Sequence, residues 1–270
     1  MLSVFGDESH DSTRARVFVV AGLLGDSREW SELRNEWKER LNEMEFHAAD
    51  CESGYGNFRN LTERERLQLH HDLTRILASS KLRGYGYGVD LAGLRSAFPS
   101  VIQDFPDMPY YDCFLRTIKY LSDLAGVYIP RERVEFTFDQ HRNTQYNAGL
   151  LYNWLSHYRD NIVDKVGFAS REELGIQAAD LWARELMKRC DTHLFDQSAS
   201  ARPQWDVLMA TKRFTFKFIL ADELAREMEQ ASKEYQLDHA DYESWRRKHN
   251  VVDNLSNRFR WLALQDKARS

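Results

Sequence analysis

Six residues scattered along the chain have the types and settings that metal-assisted hydrolysis requires: Asp7, Glu8, Glu45, His47, Asp139 and Asp180. Asp180 is the most informative. It sits in Leu174-Gly175-Ile176-Gln177-Ala178-Ala179-Asp180-Leu181-Trp182-Ala183-Arg184-Glu185-Leu186-Met187, a stretch that otherwise reads as a helix with a buried face. At helical spacing Asp180 shares a side with Ile176, Ala183 and Met187. A buried carboxylate is stable only when it is paired, protonated or bound to a cation, so Asp180 needs a partner. Arg184 is the simple choice. Asp7 and Asp139 offer another, because each closes an apolar run of strand character. In an open α/β sheet, sites gather at the carboxyl ends of strands, and a following helix can bring a third carboxylate there. Such a cluster repels itself unless a cation holds it, and all-oxygen donors favour Mg²⁺ or Mn²⁺ over Zn²⁺. Two such ions about 4 Å apart activate a water and stabilise the leaving oxygen in phosphodiester cleavage.

The other candidates depend on local geometry. Side chains on a strand alternate faces, so Glu8 joins Asp7 only if the strand has ended or bulged. Glu45 and His47 share a side if their segment is extended, and His47 could ligate a metal or shuttle protons. Gln177 lies one turn before Asp180, where its amide could bond a ligand or the backbone. The adjacent pair His70-His71 falls on an amphipathic helix, and neighbouring helical residues point apart, which makes a poor chelate. Arg246-Arg247-Lys248-His249 and Lys212-Arg213 with Lys217 are candidate phosphate contacts, diluted by nearby acids. There is no Walker loop, no glycine fingerprint after a strand and no Gly-x-Ser-x-Gly elbow.

The elements that must carry these residues follow from hydrophobic periodicity. Leu2 to Gly6 and Arg16 to Leu24 predict an antiparallel hairpin across a turn-like stretch, Ser9 to Arg14. A helix is expected from Ser27 or Ser31 to about Asn42. Another starts at Thr62, where Glu65 completes a capping box, and runs to about Ser79. Leu82 to Val89, with Gly84, Gly86 and Gly88, reads as a strand whose glycines mark a bulge or close backbone approach. A helix over 110–124, a strand over 133–139, a helix over 143–158 and a short strand over 165–169 lead to the Asp180 helix. Residues 191–210 read as loop, and 211–270 as mainly helical and highly charged. The order predicts a mixed α/β core over residues 1–200 and a helical C-terminal extension over 201–270.

Composition fits an ordinary soluble protein: 43% hydrophobic, 29% charged, net charge −5 over 270 residues. That charge does not advertise bulk nucleic-acid binding, although a local basic groove is compatible with it. No apolar run is long enough to span a membrane and no signal peptide is read. Three widely spaced cysteines, Cys51, Cys113 and Cys190, argue against a disulfide framework or cysteine zinc site and fit a reducing cytoplasm.

Together, Gly6-Asp7-Glu8-Ser9, Glu45-Phe46-His47-Ala48, Phe138-Asp139 and Ile176-Gln177-Ala178-Ala179-Asp180-Leu181 resemble the family known as domain of unknown function 3800. The resemblance covers roughly the first two-thirds of the chain. It implies an RNase H-like mixed sheet flanked by helices and a metal-dependent nuclease, in bacteria and phages and in some cases near mobile or defence genes. It also implies that Asp7, Asp139 and Asp180 are ligands of Mg²⁺ or Mn²⁺, with two ions expected. Glu8, Glu45 and His47 match further motifs of the family; the expectation is that Glu8 or Glu45 completes the metal shell and His47 assists proton transfer to water or the leaving group. One departure is His10, which stands where the family start has glycine. The expected partner is a nucleic acid, DNA or RNA, and the C-terminal helices offer a surface for a protein partner or a second copy. The competing functions are a non-catalytic binding module of the same fold and a small-substrate phosphohydrolase.

Overall fold

The computed structural model describes residues 1–13, 15–97, 99, 108–129, 132–140, 163–195, 198–224 and 226. The expected helix over 143–158 and the chain beyond 226 lie outside the described residues. The fold is α/β, a six-stranded mixed sheet flanked by helices, consistent with the RNase H-like expectation. The strands are β1 (Leu2–His10), β2 (Val17–Asp26), β3 (Arg83–Asp90), β4 (Val134–Asp139), β5 (Val163–Ala169) and β6 (Phe214–Ile219), in sheet order β5-β4-β1-β2-β3-β6. The three strands β1, β2 and β3 run antiparallel, while β4 lies parallel to β1, β5 to β4 and β6 to β3.

The first hairpin forms as expected, but its strands are longer. β1 does not end at Asp7. It stays paired with β2 in unbroken register from Leu2↔Asp26 to His10↔Phe18. The reason lies in the turn. Asp11 is buried, and its carboxylate accepts the N–H groups of Thr13, Ala15, Arg16 and Val17, together with the Thr13 hydroxyl. One side chain thereby satisfies the donors that a tight reversal would strand, and the ladder runs right up to it.

Helix α1 (Ser27–Leu41) starts from a capping box in which Asp26 accepts the Glu29 N–H and Glu29 accepts the Asp26 N–H. After α2 (Ala48–Ser53) and a 3₁₀ turn at Gly56–Phe58, α3 (Glu63–Ser79) opens with the Thr62–Glu65 box read from the sequence. Then come α4 (Leu91–Ala97), α5 (Met108–Tyr128), α6 (Leu174–Phe195) and α7 (Pro203–Ala210). Helix α5 covers one face of the sheet through Phe114, Ile118 and Leu121 against Val4, Val20 and Phe136. The other face packs Trp30, Trp37, Leu73, Trp182 and Leu186 against Phe5, Val19, Ala21 and Leu23.

Two glycines set how closely α6 approaches. A Cβ at Gly86 on β3 would run into Leu186, and one at Gly175 would run into the Phe5 ring. The glycines of β3 thus serve close approach, and its pairing with β2 carries no bulge.

Residues 191–219 require a correction. Helix α6 runs on to Phe195, Pro203 opens α7 at its first turn, and Phe214–Ile219 is a strand pairing with β3. Trp205 stacks on Trp182 at 5.6 Å and Phe214 meets it edge-on at 5.1 Å, so this segment belongs to the core and the sheet unit extends to at least Ile219. Among the described residues no helix is long and apolar enough to cross a membrane.

Candidate metal centre

Strand alternation and register bring two aspartates together. The last β1–β4 pair is Gly6↔Phe138, so Asp7 and Asp139 stand one position further on, on neighbouring parallel strands. Asp7 is cross-strand from Ala21, which faces α6 with Phe5; Phe138 points to the α5 side, so Asp139 points to the α6 side as well. Helix α6 lies on that face and contributes Asp180. All three are about 95% buried, at 5%, 5% and 6% exposure.

Each carboxylate is tied to the backbone. Asp7 Oδ1 accepts the Glu8 N–H at 2.8 Å and Asp139 Oδ1 accepts the Gln140 N–H at 2.9 Å. Asp180 Oδ2 accepts the Ala48 N–H at 2.6 Å. These bonds aim the carboxylates but do not neutralise them. Burial first, then the charges of Asp180, Glu8 and Asp139, hold the Asp7 carboxyl well above the usual carboxylate range. Burial also raises Asp180, against the opposing pull of His47, the Ala48 N–H, Arg171 and Arg184.

The segment Phe46-His47-Ala48 is positioned by α6. Gln177 Oε1 accepts the Phe46 N–H at 3.3 Å and the Trp37 indole N–H at 3.2 Å, and its Nε2 donates to the Arg171 carbonyl at 2.8 Å. Gln177 and Asp180, one turn apart, therefore hold Phe46 and Ala48 by their N–H groups and seat His47 between them. His47 is 22% exposed, and its Nδ1 stands 2.8 Å from Asp50 Oδ2. The Gln177 amide bonds protein, chiefly backbone.

Glu8 and Glu45 are placed differently. Because β1 continues without a bulge, Glu8 lies cross-strand from Val20 and leaves the sheet on the α5 side, opposite Asp7. Glu45 is exposed, and its backbone carbonyl accepts from Asn57. Among the described residues no contact ties its carboxylate to the aspartates. Arg184, the simple partner for Asp180, instead bonds Glu52 at 2.6 and 3.0 Å.

Arg171 was not singled out from the sequence. It follows β5, and its Nε lies 3.4 Å from Asp139 Oδ2. Burial works against its charge, yet Asp139, Asp7 and Asp180 together raise its pKa. The only sequence signal was its position, a cation in the turn that leads from β5 into the Asp180 helix. One further cluster was also missed. Glu52, His70 and Glu185 each offer a donor atom within 4.8 Å of the others, and among the described residues they are the one such trio. Asp7, Asp139 and Asp180 are spread more widely.

No protein-family model matches the chain, and no curated protein matches it.

Proposed function

We propose that the chain is a Mg²⁺- or Mn²⁺-dependent nuclease. The observation that carries the reading is the convergence of three buried aspartates on one face of the sheet, where burial raises both Asp7 and Asp180 and the neighbouring carboxylates raise Asp7 further. Such a site is costly without a compensating cation, and Arg171 supplies only part of the charge. The donors are hard oxygens, which fit Mg²⁺ or Mn²⁺.

Asp7, Asp139 and Asp180 would hold the ions. Bound there, divalent ions supply an activated water and charge stabilisation at the leaving oxygen of a phosphodiester. The protein's own residues do the rest. The Glu8, Gln140 and Ala48 N–H groups fix the carboxylate orientations. Arg171, 41% exposed, can release Asp139 and pair with a phosphate oxygen. His47 is backed by Asp50, partly open to solvent and fixed beside Asp180, so it can carry a proton to or from the reacting oxygens. Glu45 and Glu8 have no assigned step in this geometry. The resemblance to domain of unknown function 3800 supports a nucleic-acid substrate and a bacterial defence or mobile-element setting, and the three free cysteines support a cytoplasmic site of action.

Calorimetric titration of Mn²⁺ into the full chain tests the metal requirement. Binding that is lost in Asp139→Asn, with an unchanged circular dichroism spectrum, is the expected result. Wild-type protein that takes up no Mn²⁺, alone or with nucleic acid present, would leave the fold as a binding module instead.

A further inference from the structure

A second polar cluster is buried where α2, α3 and α6 meet, away from the strand ends. Glu185 on α6 has no side-chain exposure and His70 on α3 only 2%. Neither Glu185 oxygen accepts a hydrogen bond from the described residues, and His70 Nε2 has no hydrogen-bond partner either. Polar atoms so deeply buried are normally satisfied, so three orphans in one place point to a missing ligand. His70 Nε2 and Glu185 Oε1 stand 3.3 Å apart. That is close to the edge of a tetrahedron of donors about 2.1 Å from a central zinc, which is roughly 3.4 Å. Glu52 on α2 brings a third donor atom within 4.8 Å of the other two.

We propose that Glu52, His70 and Glu185 form a second divalent-metal site, distinct from the aspartates and suited to Zn²⁺. One imidazole and two carboxylates make a borderline donor set of the kind zinc takes, with a fourth position left over. Burial keeps the imidazole neutral and its lone pair free: desolvation, then the charge of Arg202, pull His70 down to about 4. Burial likewise raises Glu185 to about 7, so the ion displaces at most one proton near neutrality.

The surrounding cations set the terms of entry. Arg184 and Arg202 hold Glu52 from outside at 2.6 Å each, one on either oxygen, and Lys188 Nζ lies 3.8 Å away. Glu52 Oε2 already accepts both Arg184 Nε and Nη2, whereas Oε1 accepts from Arg202 and keeps a second lone pair, so Glu52 would ligate through Oε1. Arg202 is different. It also reaches Glu185 Oε1 at 3.4 Å, without the geometry of a hydrogen bond, and it is 29% exposed. Arg202 thus bridges both carboxylates where the ion would, and entry of the ion requires it to swing aside. The ion and Arg202 compete.

The probe is Co²⁺, whose visible absorption reports tetrahedral coordination, followed by its displacement with Zn²⁺. The full chain in its wild-type form is expected to develop a Co²⁺ band that saturates at one equivalent and is bleached by Zn²⁺. The band should persist in Asp139→Asn, disappear in Glu185→Gln and His70→Asn, and resist removal by a competing chelator more strongly in Arg202→Ala. A folded wild-type chain that gives no band, or a band that survives Glu185→Gln, overturns the proposal. In the first case the cluster is an ion-pair network only. Persistence in Asp139→Asn also separates this site from the proposed nuclease centre, so either can fail without the other.

Discussion

The three aspartates are costly residues for this chain to carry. Asp7 shows why most clearly, since desolvation and three neighbouring carboxylates all oppose its charge. Its folded pKa is raised, so the stability it contributes is fully present below the ordinary carboxylate pKa of about 4 and is lost as pH rises through the folded value. Asp7→Asn removes that charge and leaves an amide that can donate to Asp139 or Asp180. We expect this variant to melt higher than wild type by several degrees at pH 7 in chelator, with the gap closing toward pH 4. Scanning calorimetry checks it, and a lower midpoint at pH 7 would contradict the electrostatic reading. At this scale the three aspartates were visible in the sequence as residue types, one on an apolar helical face, one closing β4 and one in β1, which runs three residues further than was read. It was silent on Arg171 and Glu185, and His70 was read only as half of a poor chelate with His71. Their roles depend on which helix each one faces, and only the packed structure determines that.

At the scale of elements, the β1–β2 turn is organised by one side chain. Burial of Asp11 works against its charge, but the Thr13 hydroxyl and the Val17, Arg16 and Ala15 N–H groups outweigh it and hold the carboxyl far below its ordinary range. A lowered folded pKa gives stability that is present above about pH 4 and lost as pH falls below it. Asp11→Ala should therefore cost on the order of 3 kcal/mol at pH 7, measured by urea unfolding, and less at pH 3. An equal cost at both pH values would show that the turn is held by something else. The Thr62–Glu65 box made the start of α3 legible because it is written locally, whereas α1, read from Ser27 or Ser31, is capped by an Asp26–Glu29 box that was not read. β1 was read as ending at Asp7 because Ser9 to Arg14 has turn composition, whereas pairing to β2 extends the strand through polar residues. β6 was hidden by a different cause. As an edge strand it exposes Thr215, Phe216 and Lys217 and takes its hydrogen bonds from β3, far away in sequence, so it lacks the pattern of a buried strand.

For the whole molecule, α6 is the spine. It closes one sheet face through Trp182 and Leu186, delivers Asp180 to the face that carries Asp7 and Asp139, clamps the His47 segment with Gln177, and carries Glu185 into the second cluster. Trp182 links this helix to α7 and β6 through Trp205 and Phe214. Trp182→Ala should cost roughly 3–5 kcal/mol by the loss of a fully buried indole, in a single unfolding transition that includes residues 203–219. Separate transitions would instead mark that segment as independent of the sheet. The proposed chemistry depends on this architecture, since the aspartates meet only because β1, β4 and α6 pack as they do. The most direct measurement is cleavage of labelled single- and double-stranded DNA and RNA by the full chain with Mn²⁺, comparing wild type with Asp139→Asn. Wild type should cut at least one of these substrates, and chelator should stop it. Asp139→Asn should remain folded and lose more than about a hundredfold in rate, beyond what an outer-shell change costs. Cleavage that continues undiminished in Asp139→Asn, or none by wild type on any substrate, would contradict the assignment of the three aspartates to a nuclease centre.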